Sequence, residues 1–381
     1  MASSDKDVSA QPTREFMIDP LTVTGLTTTG CRARQQRLCH ALQRQGLDAA
    51  LLGDRRHVYY FTGFWQRSIY SPLALVESDG RVALTAPLEP PTPTAADECL
   101  VYEADRLGTL IDDQWTAALD TLKSRLAKSP GLGTDLPCMA TGDGRWNDLR
   151  PLLWRLRRHK DPDEVDLIRC AIAATDAAYA FAQTALRPGI TEVELFAGML
   201  ATIAEAVGEP IGEIGNDFQI GSPGGLPRRR AAESGEVAVL DISVVVRGYT
   251  SDLCRSFVVG GEPSELQLVA HQRIGEVFRD VEAALCPGAD CRSLFEMAAE
   301  KLKGYRGWTF GHHLGHGIGL SAHEAPRLNP HWTDALEVGD VFTLEPGLYG
   351  DDLRAGLRIE HDYYLSEAGL ERLSQFPIEL A

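Results

Sequence analysis

The sequence predicts an α+β protein, with a smaller α/β domain ahead of a larger domain of mixed helices and short strands. Three observations lead there. Up to Leu153, apolar strand patterns alternate with helical ones. Two helix starts, at Asp161 and Thr191, carry capping signals. From Val237 onward, β-rich stretches are separated by glycine-rich turns. The expected division is a tail over residues 1–29, a first domain over 30–154 and a second over 155–381.

The elements follow in order. Residues 1–29 are rich in Ser, Thr and Asp and read as a tail or extended arm. "CRARQQRLCHALQRQ", Cys31 to Gln45, reads as an amphipathic helix with Leu38 and Leu42 on one face. "LDAALLGD", Leu47 to Asp54, reads as a buried strand. "HVYYFTGFW", His57 to Trp65, suits either core packing or the wall of a pocket. "LALVESDGRVALTAP" reads as a hairpin turning at Asp79-Gly80. A basic stretch, "WRLRRHK", then marks the boundary. It has two readings, a nucleic-acid patch or a solvated linker face, and the acidic balance of the chain favours the second.

Asp161 is the expected N-cap of a long helix, with Pro162 at its first position and Glu164 three residues after the cap. Thr191 and Glu194 repeat the pattern before "LFAGMLATIAEAVG". "EVAVLDISVVVRGYTSDLCRSFVVG" is β-rich. Helices return in "SELQLVAHQRIGEVFRDVEAAL" and "CRSLFEMAAEKLKG", and short strands in "DVFTLEPGLY" and "LRIEHDYYL".

The 381 residues suffice for two domains and a sizeable core. A formal charge of −17 argues against nucleic acid or an anionic membrane as partner. No apolar run is long enough to span a bilayer. The polar start "MASSDKDVSAQPTREF" lacks the apolar core of a signal peptide. The eight cysteines form no CxxC pair, so reduced thiols and a cytoplasmic location are expected.

The chemistry begins on the strand Val237 to Val246. Side chains alternate, so Asp241 shares a face with Val239 and Ser243, opposite an all-apolar face. If the chain turns at Arg247-Gly248, Ser243 lies opposite Asp252, and Asp241 becomes the diagonal neighbour of Asp252. Two acids so close repel each other unless a cation lies between them. The bland alternative is a pair of surface acids on a half-exposed sheet. Further groups sit on or beside short strands: Val341, Thr343 and Glu345 on one face, and Arg358 and Glu360 on another. "GHHLGHGIGLSAHEAP", Gly311 to Pro326, holds four of the chain's ten histidines. With His316, the set is four carboxylates and one imidazole. It suits two divalent ions drawn from manganese, iron, cobalt or zinc, with manganese placed first. Two such ions would hold a bridging hydroxide and clamp an oxyanion.

These segments, with "TLEPG" and "LRIEH", resemble in order and spacing the signatures of the pita-bread metallopeptidases, the family of methionine aminopeptidase, aminopeptidase P, prolidase and creatinase. The two aspartates lie eleven positions apart, and His323 lies seven positions after His316. "GLDAALLGDRRHVYYFTGF" resembles, more weakly, the creatinase-type N-terminal domain. The resemblance implies a C-terminal pita-bread catalytic domain behind a creatinase-like domain, a homodimer, and a small peptide or small-molecule substrate. It implies that Asp241 holds one ion, Asp252 and Glu360 bridge both, and His316 and Glu345 complete the shells. Glu345 is implied as proton shuttle, His323 as stabiliser of the tetrahedral intermediate, His312 as a substrate contact and Arg358 as an orienting group. The glycines around His316 are expected to let backbone approach the metals, and His313 is expected to be structural. The implied activity is cleavage of Xaa-Pro peptides by an aminopeptidase or dipeptidase. The alternatives are a C–N hydrolase or lyase acting on a small metabolite, and a non-catalytic binding module.

One departure stands out. Relatives of the prolidase type read approximately "PHHLP" where this chain has "PGGLP", Pro223 to Pro227. Gly224 and Gly225 are expected to leave a pocket emptied of its substrate-binding side chain. Arg228 to Arg230 then offer either an anion contact or a solvated patch.

Overall fold

The computed structural model describes residues 23–65, 69–87, 94–139, 145–211, 214–215 and 217–380. The expected tail thus lies mostly outside the described residues. The first helix is Thr28–Gln45 and starts three residues before the Cys31 expected. Thr27 explains the early start. Its hydroxyl accepts from the Gly30 N–H at 3.0 Å, and its own N–H donates to Asp163 at 2.8 Å.

A six-stranded mixed sheet follows. Its order is Glu98–Val101, Val82–Ala86, Leu73–Glu77, Ala49–Leu52, Leu132–Thr134 and Trp146–Asp148. The hairpin expected at Asp79-Gly80 forms, with Val76 opposite Val82. The stretch "HVYYFTGFW" divides between its two readings. His57 to Phe61 are buried in the helix Arg55–Thr62, whereas Trp65 is about half exposed and lines the large cavity described below.

Both capped helices form, Pro162–Ala185 and Glu192–Val207. In the second, Thr191 and Glu194 bond reciprocally at 3.2 and 2.8 Å. A three-stranded sheet places Val237–Ile242 between Leu253–Val258 and Phe218–Ile220. A five-stranded sheet runs Glu324–Leu328, Gly315–Gly317, Val341–Leu344, His361–Ser366 and Gly369–Arg372.

The strand Val237–Ile242 has two buried faces and so serves two cores. Ala238, Leu240 and Ile242 pack into the cluster holding the helices Pro162–Ala185 and Glu192–Val207. Val237 and Val239 pack into the cluster holding Glu265–Glu282 and Cys291–Leu302. Asp241 continues that second face, at the point where its apolar residues stop. The first of these clusters also takes in Leu38, Val58 and Leu84, so it runs on into the N-terminal sheet and its helices.

The basic stretch is corrected for three of its four Lys and Arg residues, while Arg155 stays exposed. Arg157 and Lys160 are buried, and both pair with the buried Glu324, Lys160 at 3.2 Å. Arg158 pairs with Asp340 at 2.7 Å. These cations are internal counter-charges, neither a nucleic-acid patch nor a solvated face. No helix among the described residues is long and apolar enough to cross a membrane.

Candidate active site

The hairpin register expected from the sequence is present. Asp241 lies opposite Cys254, and Val246 lies opposite Tyr249 across the Arg247-Gly248 turn. Asp252 is therefore the diagonal same-face neighbour of Asp241. Ser243, opposite Asp252, donates its hydroxyl to Asp252 Oδ1 at 2.6 Å. The Asp252 N–H donates to Asp362 Oδ2 at 3.1 Å, which pins the backbone at this point.

Glu360 arrives from the other sheet. The single strand expected over "LRIEHDYYL" is broken into Ala355–Arg358 and His361–Ser366, and Glu360 sits in the break. Its N–H donates to Cys254 O at 3.0 Å, which ties it beside Asp241. Thr343 donates to Glu360 Oε1 at 2.6 Å, whereas Glu360 Oε2 is buried with no hydrogen-bond partner among the described residues. Asp241, Asp252 and Glu360 each present an oxygen within 4.8 Å of the others.

His316 faces this trio. Its Nδ1 donates to Gly317 O at 3.1 Å, which fixes the tautomer and leaves Nε2 as a lone-pair donor. That Nε2 lies 3.6 Å from Asp252 Oδ2 and 3.5 Å from Glu345 Oε1. The flanking glycines have a different reason from the one expected. A Cβ at Gly315 would collide with the Thr343 carbonyl, and one at Gly317 with the Ala325 carbonyl. They let the His316 strand close on its two neighbours rather than on a ligand.

His323 stacks on His316, ring centroids 3.8 Å apart. His312 Nε2 is 2.9 Å from the Tyr349 hydroxyl. His313, expected to be structural, instead puts Nε2 2.7 Å from Glu345 Oε1. Arg358 reaches Asp241 Oδ2 at 2.6 Å and Asp217 Oδ2 at 3.0 Å through one nitrogen. All eight side chains singled out in the sequence thus line one open cavity of about 1700 Å³. The chain's own N-terminal segment lines it too, through Arg56, Trp65 and Trp115.

Charge is unevenly settled here. Burial raises Asp241 to about 7, despite Arg358 beside it. Burial, with Asp241 as the next cause, pushes Asp252 well above the carboxylate range, and burial with Asp252 does the same to Glu360. Glu345 is the exception. Burial would raise it too, but the His313 contact and the nearby histidines outweigh that and lower it to about 2. Burial lowers His316 to about 4 and also lowers His312 and His323. The three raised acids, the unpartnered Glu360 oxygen and the free Nε2 of His316 all fit divalent cations.

The sequence reading missed four groups. Ser243 and Thr343 had a signal, since each sits two residues from an acid on the same strand face. Tyr349 and Asp217 had none. The emptied pocket at Gly224 and Gly225 is also corrected. A Cβ on Gly224 would lie 2.9 Å from the Asp217 carboxylate, which already occupies that space. Arg228 and Arg230 are paired with Glu192 at 2.6 Å and Glu236 at 2.5 Å.

Comparison with known proteins gives a consistent picture. The model of metallopeptidase family M24 matches residues 166–367, and that of the Creatinase/Prolidase N-terminal domain matches residues 34–142. An uncharacterized peptidase of Staphylococcus aureus strain USA300 is 28% identical over 353 residues, covering 89% of this chain and 98% of that protein. The prolidase from Pyrococcus horikoshii OT3 superposes with a TM-score of 0.74 at 22% identity, over 92% of this chain and 100% of that one. The X-Pro aminopeptidase from Thermotoga maritima MSB8 gives 0.74 at 24% identity, over 91% and 98%. The fold is therefore the expected one, a pita-bread domain behind a creatinase-type N-terminal domain.

Proposed function

The chain belongs to metallopeptidase family M24, and from that premise we propose that it cleaves Xaa-Pro peptides, as an aminopeptidase or dipeptidase, at a centre of two divalent ions. The observation that carries the reading is the convergence of Asp241, Asp252, Glu345, Glu360 and His316, with Glu360 Oε2 buried and unpartnered. Asp241 would hold one ion, Asp252 and Glu360 would lie between the two, and His316 and Glu345 would complete the set. Manganese, iron, cobalt and zinc all suit these donors, with manganese placed first. Bound there, the ions would supply Lewis acidity, polarising the scissile carbonyl and acidifying water.

The side chains divide the remaining work. Glu345, held as a carboxylate by its histidine neighbours, can accept a proton from the attacking water and pass it to the departing nitrogen. Burial depresses both His323 and His312, and His323 so offers an N–H without added charge, whereas His312 already donates its Nδ1–H to the His313 carbonyl at 2.8 Å. His323 would stabilise the developing oxyanion, and His312, anchored by Tyr349, would contact substrate. Arg358 would hold Asp241 in place. The division into residues 30–154 and 155–381, and assembly as a homodimer, belong to the same proposal.

Metal-stripped protein, titrated with each ion and assayed on Xaa-Pro dipeptides and longer Xaa-Pro peptides, tests the reading. Two ions per chain and metal-dependent turnover are expected. Protein that takes up no ion, or cleaves equally well without one, sinks it. A second reading is an enzyme acting on a small non-peptide metabolite, by C–N hydrolysis or lyase chemistry. It is favoured by Gly224 and Gly225, which stand where prolidase-type relatives carry histidines. Metal-dependent turnover absent on every Xaa-Pro peptide would favour it.

A further inference from the structure

One cavity group is not used by the reading above. Asp217 lies just outside the strand Phe218–Ile220, with its side chain 43% exposed to the cavity. Its Oδ1 accepts the Gly225 N–H at 3.0 Å and its Oδ2 accepts from Arg358 at 3.0 Å. The Asp217 carbonyl accepts the Asp241 N–H at 3.0 Å, so its backbone is fixed to the strand that carries Asp241.

Two consequences follow for charge. Arg358 is the buried cation that reaches Asp241, and a substrate carboxylate at this end of the cavity would have to meet it. Yet its Nη2 is already shared between Asp241 and Asp217, and its Nη1 faces the Tyr349 hydroxyl at 3.4 Å. Its charge is met by acids of the protein. A substrate carboxylate placed there would face the Asp217 carboxylate instead of a free guanidinium.

The loop around Asp217 is shaped for this arrangement. A Cβ on Gly224 would press on the carboxylate, and Gly225 has φ +121°, with Gln219 Nε2 2.6 Å from where its Cβ would stand. Gly224 leaves the room that the Asp217 carboxylate fills, and Gly225 holds that carboxylate through its N–H.

We propose that Asp217 is a specificity residue: it turns the end of the cavity beyond Asp241 into a receptor for an uncharged or cationic hydrogen-bond donor and rejects a carboxylate. Resting on the Xaa-Pro reading, the favoured substrates are peptides that continue past proline, or are amidated there, over free Xaa-Pro dipeptides. The N–H that follows proline in such a peptide donates to the free lone pairs of Asp217.

The test compares binding and turnover. Calorimetry on manganese-loaded protein measures L-prolinamide against L-proline, and kinetics compare Ala-Pro-NH2 with Ala-Pro. Wild type is expected to prefer the amide by about tenfold or more in both, the scale of one like-charge contact at partial screening. Asp217→Asn should shrink that preference by about tenfold, mostly through better acceptance of the free acid. Gly224→Ala, which displaces the same carboxylate, should move the ratio in the same direction. Wild type that binds proline as well as prolinamide overturns the proposal, as does an unchanged ratio in Asp217→Asn or binding of neither ligand. A binding preference that persists while neither peptide is cleaved supports the role of Asp217 and removes the peptidase reading alone.

Discussion

Asp161, Asp163 and Glu164 are as crowded as Asp241, Asp252 and Glu360. In each trio, one oxygen per residue lies within 4.8 Å of the others. The first trio closes around a guanidinium, Arg34, whose Nη1 lies 3.1, 2.9 and 3.5 Å from the three acids. Burial would raise Asp163, but Arg34 and the Thr27 donors outweigh it and lower the carboxyl. Glu164, wholly enclosed, still rises to about 7, mainly through burial. The second trio has Arg358 on Asp241 alone, and all three acids rise.

Glu324 completes the contrast. It is as deeply buried as Glu360, and burial is again its largest influence, yet Lys160 and Arg157 outweigh it and the carboxyl falls. Burial alone therefore does not mark a cation site. What marks one is a group of buried acids for which the protein supplies too few positive charges of its own.

That contrast can be broken most directly at Glu360. Glu360→Gln should cost about 10²–10³-fold in turnover, the scale of losing one charge-stabilising group in a hydrolase. Elemental analysis should show fewer ions per chain. The metal-free variant should be no less stable than metal-free wild type at pH 8, because an uncompensated acid has gone. Full activity in this variant would remove the cluster from the chemistry.

At the other trio the opposite holds. Arg34→Met should cost roughly 3–5 kcal/mol in denaturant unfolding, because three buried acids lose their cation. Metal content should stay unchanged. A cost below about 1 kcal/mol would mean that the guanidinium is not what holds that cluster together.

Glycine sets how close the metal-side strands can come. Gly315→Ala should cost about 1–3 kcal/mol, since its Cβ would drive the His316 strand off the Thr343 carbonyl. Turnover should fall as His316 moves away from Glu345. Thermal unfolding and kcat/KM on the same preparation check this together.

The pH dependence of the metal-free protein is the smallest effect. Asp241, Asp252 and Glu360 have folded-state pKa values above their unfolded values. Their contribution is full below the unfolded pKa and is lost as pH rises through the folded one. His316 acts in the opposite sense, because its depressed pKa removes stability as pH falls from about 6.5 towards 4. Above about pH 7.5, His316 is neutral in both states and the acids of the cluster set the trend. Between pH 7.5 and 9, metal-free protein should lose on the order of 1–2 kcal/mol more than manganese-loaded protein, because buried acids outside the cluster, such as Glu164, titrate alike in both. Equal profiles would show that the acids are already compensated without metal.

The sequence by itself determined the local half of the site. Strand alternation and a two-residue turn set Asp241 diagonal to Asp252, because the side-chain period and the hairpin register are fixed by nearest-neighbour backbone geometry. The same local logic put Ser243 opposite Asp252, although its hydrogen bond was not foreseen, whereas Thr343 shares a face with Glu345 but supports Glu360 on another segment. Only the tertiary structure decided which charges meet. Arg157 with Glu324, Arg358 with Asp217, and His313 with Glu345 join segments whose approach is set by how helices and sheets pack, and no periodicity along the chain encodes it. That is why Arg157, Arg158 and Lys160, in a stretch that looked solvated, proved to be internal counter-charges, and why the space beside Gly224 holds a carboxylate.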